Sequence, residues 1–203
     1  MNWNLFAAFL VITTVLIVVP GPIVTLIIAT GARQGLRAAL VTVAGTSLGN
    51  VVLLAAIALG LGWVLRNAEQ LFVVVRFVGA AYLIWLGIQA WRHAGAAESV
   101  ETSGRVNFTR GVVVALSNPK TIAFFTAFLP QFVDPTLPAA PQLVVMCTVT
   151  TLFAALSDSA WAVASGMGRA WLMRPAQARL LARMSGAVLI GGGVWLSLAR
   201  RTG

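Results

Sequence analysis

Six long apolar runs separated by short polar stretches organise this chain. They cover residues 3–30, 36–61, 71–91, 111–133, 143–165 and 184–198. A helix needs about 20 apolar residues to cross a hydrocarbon core about 30 Å thick, so the runs predict six transmembrane helices. Their apolar character is continuous rather than alternating, which excludes the strands of a membrane barrel. The polar stretch 92–110 carries the only histidine, His93, together with Glu98 and Glu101, and reads as a linker. The predicted fold is an all-α membrane protein, a single integral membrane domain over 1–203. It divides into a three-helix half (1–91), the linker (92–110) and a second three-helix half (111–203).

The polar breaks also predict orientation. One set of loops holds Arg33, Arg37, Arg92, Arg105, Arg110, Arg169, Arg174, Arg179 and Arg183, while the opposite set holds Arg66, Arg200 and Arg201. Basic residues are retained on the cytoplasmic side, so the linker is expected inside and both termini outside. The halves then run in opposite senses, as in a 3+3 inverted-topology repeat. Arg76 lies near the outer end of the third span, within snorkelling reach of the interface. Residues 174–183, with Pro175, Leu180 and Leu181, read as a short basic interfacial helix before the last span. No basic residue precedes the first apolar run, which therefore lacks the charged region of a signal peptide.

Composition narrows the function classes. Hydrophobic residues make up 59% of the 203 and charged residues 9%, against about 45–50% and 25% in soluble domains. A soluble enzyme and a disordered chain are both excluded. The net charge of +9 comes from 13 Arg and one Lys against five acids. Lying between apolar runs, these charges read as topology and attraction to anionic membrane lipid, not as nucleic-acid binding. Cys147 is the only cysteine, so neither an intrachain disulfide nor a cysteine metal cluster is expected. With His93 in the linker and no carboxylate cluster in a span, an intramembrane enzyme, a metal site and a cofactor are not expected either.

The candidate chemistry lies where the spans are interrupted. Pro20-Gly21-Pro22 breaks the first run and Asn118-Pro119-Lys120 breaks the fourth. A proline inside a helix removes a backbone donor and frees carbonyls, which in lipid must be satisfied by protein or a watered cavity. One break in the leading helix of each half is the pattern of a transporter site. At 1.5 Å rise per residue, Pro20–Pro22 lie roughly 12–15 Å from the inner end of their span, Lys120 and Tyr82 roughly 14 Å, and Asp158 roughly 10–11 Å. Thr46 and Ser47 fall near the same level. A charge at that depth costs at least about 2.5–3.5 kcal/mol, so Lys120 and Asp158 need partners. They are close enough in depth to form an ion pair joining two helices. Alternatively, Lys120 attracts a substrate carboxylate while Asp158 binds a substrate ammonium or carries a proton. Asn50, nearer the outer half, reads first as an interhelical contact. Gly45-x-x-x-Gly49 and Gly191-Gly192-Gly193 read as close-packing surfaces.

Together, Pro20-Gly21-Pro22, Gly79-Ala80-Ala81-Tyr82-Leu83 running on to Leu86-Gly87, Asn118-Pro119-Lys120 and Phe128-Leu129-Pro130-Gln131-Phe132 resemble the LysE/RhtB family of amino-acid exporters. The resemblance covers essentially the whole chain. It implies six spans in the inner membrane and alternating-access export of small amino acids or derivatives, such as homoserine, its lactone, threonine, leucine, lysine or arginine. It also implies protons as the coupling ion. Asp158 falls where members often carry a fifth-span aspartate, and Asn50 where the second-span motif often ends in an acid. Export or conduction of another small solute or a metal ion is the alternative reading, and a homo-oligomer is left open.

Overall fold

A computed structural model describes residues 1–67, 69–92, 107–167 and 175–198. Linker residues 93–106, with Arg105, and also Arg169, Arg174, Arg200 and Arg201 lie outside the described residues. The helices are α1 (Trp3–Val18), α2 (Pro22–Gln34), α3 (Leu36–Asn67), α4 (Glu69–Arg92), α5 (Asn107–Leu116), α6 (Pro119–Phe128), α7 (Ala139–Met167) and α8 (Pro175–Leu198). A 3₁₀ turn, Leu129–Phe132, follows α6. Four helices are long and apolar enough to cross a membrane alone, and the number is six if each of the pairs α1–α2 and α5–α6 with its 3₁₀ turn, bent by 42° and 41°, is one span. The expected short interfacial helix is not separate where the chain is described: residues 175–183 are the opening turns of the continuous α8.

Each bend has the same local cause. Val19, just before Pro20, is forced out of the helical region (φ −72°, ψ 119°) and ends α1. Pro22 then opens α2 at the first helical position, where a missing N–H costs nothing. Pro119 opens α6 in the same way, after Asn118 in extended backbone (φ −70°, ψ 105°). The two half-helices that follow the breaks are mostly buried. In α2, Ile23, Val24, Leu26, Ile27 and Ile28 are buried. In α6, Phe124, Phe125 and Phe128 are buried, with Phe128 stacked on Trp195 of α8 (centroids 5.3 Å apart).

Around this centre, helices up to residue 92 pack on helices from residue 107 onward. Helix α3 lies along α5 and α7, and α4 lies along α8 and α6. Glycines set the closest approaches, as small residues do between helices in lipid. A Cβ on Gly111 of α5 would sit 2.5 Å from the Thr42 carbonyl oxygen of α3, and one on Gly45 would strike the Phe108 backbone. On the other side, Gly87 of α4 faces the Gly186 carbonyl of α8, and Gly193 faces the Ala80 carbonyl.

Asp134, outside the spans, and Gln142, in the first turn of α7, organise the loop before α7. Asp134 accepts hydrogen bonds from Thr136 N (2.9 Å) and Oγ1 (2.6 Å) and from Asn2 Nδ2 (3.1 Å), tying the N-terminus to this loop. Gln142 Nε2 donates to the Asp134, Leu137 and Pro138 carbonyls. The Thr136 side chain and backbone, followed by Asn2, hold the Asp134 carboxyl below the usual carboxylate range.

Two predictions follow from this packing and this loop. Gly111→Ala is expected to lower the thermal midpoint in detergent by the equivalent of about 1–3 kcal/mol of overpacking. Gly60→Ala, whose Cβ meets nothing within 4 Å, leaves it unchanged or slightly raised. The depressed Asp134 group stabilises the loop at pH values above its unfolded pKa of about 3.9, and that contribution is lost as pH falls through the lower folded value. Thermal unfolding of the wild type and Asp134→Asn as a function of pH measures it: the variant loses that part of the acid dependence.

Candidate functional site

A cavity of about 60 Å³ lies where the two breaks meet the middle of α3 and α7. It is lined by Gly21, Ile23 and Val24 from the start of α2, and by Asn118, Lys120 and Thr121 from the start of α6. Asn50 and Leu54 of α3 and Thr150, Ala154 and Asp158 of α7 close the opposite side. At about 10–15 Å³ of such volume per water, it has room for a handful of waters.

Lys120 is buried, and its ammonium donates to two main-chain oxygens at the end of α1, those of Leu16 (2.8 Å) and Val19 (2.6 Å). The Leu16 carbonyl would ordinarily accept from the amide four residues on, which is residue 20, a proline without an N–H. The lysine of the second break thus supplies the donor that the first break lacks. Gly21 makes this possible, because a Cβ there would press on Lys120 Cδ at 3.2 Å.

The start of α2 is left open. Gly21 makes no side-chain cap bond and Pro22 has no donor, and Ile23 and Val24 of the first turn line the cavity, which puts the positive end of the helix dipole beside it. In α6, by contrast, Asn118 Oδ1 accepts from Lys120 N (3.1 Å), and its Nδ2 donates to Thr121 Oγ1 (2.8 Å). The start of α2 and Lys120 thus bring donors to this part of the cavity, next to the carbonyl end of α1 that the ammonium binds.

The facing wall is acidic and rich in acceptors. Asp158 is buried, with Oδ2 3.2 Å from Thr46 Oγ1. That hydroxyl also lies 3.0 Å from the Val43 carbonyl, and its single proton serves one acceptor at a time. Asn50 Oδ1 and Thr150 Oγ1 are buried without a hydrogen-bond partner. The charges of Lys120 and Asp158 act on one another across the cavity, while each holds a different partner.

Of the residues singled out in the sequence, Gly21, Asn118, Lys120 and Asp158 meet at this cavity, and Pro20, Pro22 and Pro119 shape the breaks beside it. Ser47 is half-buried and does not line it; its neighbour Thr46 makes the contact to Asp158. Tyr82 is 40% exposed on the outer face of α4, stacked on Trp85. Thr150 was not singled out and Asn50 was read first as a contact, yet both line the cavity. The available signal was spacing: 46, 50 and 54 on α3 and 150, 154 and 158 on α7 recur every four residues and share a face. Among the described residues no group of three or more His, Cys, Asp or Glu could hold a metal ion.

Apolar helices long enough to cross a membrane, packed around two broken helices and a cavity that holds both charges, have the build of a membrane translocator. The sequence profile of the LysE type translocator family matches residues 14–200, and the chain belongs to that family. It is 31% identical over 98% of its length, and 99% of the relative's, to a homoserine/homoserine lactone efflux protein of Salmonella typhimurium. It is 34% identical to an uncharacterized membrane protein of Pseudomonas aeruginosa over 90% of each chain. A leucine efflux protein of Klebsiella pneumoniae is 31% identical over 64% of this chain and 63% of its own. No solved structure matches the chain.

Lys120→Met removes the ammonium while keeping an unbranched stem, and leaves the Leu16 and Val19 carbonyls without that donor. Hydrogen bonds to a charged group contribute about 1.5–3 kcal/mol each, so a marked fall in the thermal midpoint of the purified protein is expected. An unchanged midpoint would mean the two carbonyls find other donors at no cost.

Proposed function

We propose that this translocator exports small amino acids from the cytoplasm across the inner membrane by alternating access, in exchange for protons. The observation that carries the reading is the bipolar cavity at the junction of two broken helices. A zwitterion fits it in one sense: carboxylate toward the open start of α2 and Lys120, ammonium toward Asp158. The amides of Ile23 and Val24 supply donors that are already oriented, as broken helices do in transporters built from inverted repeats. The nearly equal bends of the two leading spans support reading 1–91 and 111–203 as inverted halves. The efflux proteins among the relatives support amino acids as the cargo.

Asp158 is the natural proton carrier. When it is ionised, Thr46 donates to it. When it is protonated, its own O–H is directed to Thr46, whose proton then turns to the Val43 carbonyl. Both protonation states keep every group in the chain paired, so neither carries the penalty of an orphaned buried group. A cavity sized for a handful of waters admits an amino acid only when its walls part, and such parting is the opening step of alternating access.

The test uses cells stripped of their own exporters, loaded with single amino acids and followed for release. The wild type accelerates release of at least one amino acid, and collapsing the proton gradient slows it. Lys120→Ala and Asp158→Asn each reduce release at least about tenfold, the equivalent of about 1.4 kcal/mol in a barrier, with the protein still in the membrane. No accelerated release of any amino acid would overturn the exporter reading. Release indifferent to the gradient would overturn the exchange.

A further inference from the structure

Several hydroxyl side chains in these helices turn back on their own backbone. Thr42, Thr46, Ser117, Thr151, Ser159, Ser165 and Ser197 each lie within hydrogen-bond distance of a carbonyl three or four residues earlier. Thr13, Thr30 and Thr150 do not, and the Oγ1 of each is buried without a partner. Thr13 and Thr30 lie away from the cavity, whereas Thr150 is on it at 3% exposure, and Asn50 Oδ1 is likewise unpartnered at 6% exposure. Both residues line the one cavity that also holds Lys120 and Asp158. Buried polar groups in native proteins are paired as a rule, and an exception inside a ligand cavity points to the ligand. The carboxylate and ammonium of an amino acid are already matched by other groups, which leaves Asn50 and Thr150 for its side chain.

We infer that Asn50 and Thr150 form a side-chain subsite that selects amino acids carrying a short terminal hydroxyl over aliphatic ones. The inference rests on the exporter reading above and specifies its cargo. A hydroxyl both donates and accepts, so its proton goes to Asn50 Oδ1 while its lone pair receives the Thr150 proton. Thr150 stands two turns from Asp158, about 12 Å along the helix axis. A four-carbon hydroxy amino acid with a hydrogen bond of about 2.8–3 Å at each end spans roughly that distance. The rest of the lining nearby (Leu16, Leu54, Phe125) is apolar and packs the carbon chain. A leucine side chain would leave both polar groups unpaired, and sites built to bond a hydroxyl reject the analogue lacking it strongly.

The test measures release of homoserine and of leucine from cells loaded equally with each. The wild type is expected to release homoserine at least about tenfold faster. Thr150→Val and Asn50→Leu each lower the homoserine-to-leucine ratio at least about tenfold, and Thr150→Ser, which keeps the hydroxyl, restores it. With purified protein, homoserine raises the thermal midpoint and norvaline, its counterpart without the oxygen, does not. Equal release of the two by the wild type, equal stabilisation by homoserine and norvaline, or variants that leave the ratio unchanged would overturn the subsite while leaving the exporter standing. Release of no amino acid at all would overturn the exporter itself.

Discussion

The ammonium of Lys120 bound to the Leu16 and Val19 carbonyls is the contact on which the centre of this protein depends. A helix in lipid that is broken by proline exposes oxygens that water cannot reach, and an isolated lysine in lipid is equally intolerable. Each defect satisfies the other. The pairing spans about a hundred residues of sequence and joins the leading spans of the two halves. It also leaves the first break free of further props: the start of α2 is uncapped, and a small cavity remains between the half-helices.

The two breaks are alike in geometry and unlike in chemistry. Both have proline at the first helical position and nearly equal bends, but Asn118 caps α6 whereas Gly21 offers α2 nothing. A capped helix start is a structural joint, and an uncapped one directs its dipole at whatever lies in front of it. The asymmetry gives the cavity its polarity, with donors on the α2 side and Asp158, Asn50 and Thr150 opposite. A symmetrical pair of breaks would have made a site for anions. This one suits a molecule that carries both charges.

Much of this was legible in the sequence because lipid makes errors costly. Prolines, a lysine and an aspartate inside apolar runs need explanation wherever they occur, and their depths put Pro20–Pro22, Lys120 and Asp158 near one level. It could not say which way each side chain faces. Tyr82 has the right depth and the wrong direction, because a helix surrounded by lipid is apolar all round and gives no amphipathic signal to orient it. The partner of Lys120 was out of reach for another reason: main-chain carbonyls carry no sequence signature, whereas Asp158 stood in view as the obvious counter-charge. Thr150 escaped notice because a threonine in an apolar helix ordinarily bonds its own backbone, and only the fold reveals that this one does not.

The glycine contacts bear on how such a molecule could move. Backbone meets backbone between α3 and α5 and again between α4 and α8, and in both places the contact joins one half of the chain to the other. Swinging the halves apart as blocks would unzip both seams along their length. A motion that keeps the seams shut has only the bends to work with, flexing α1 against α2 and α5 against α6. In the exporter proposed above, the gate is then a half-helix turning on its proline while the helices joined at the seams stand still as a frame.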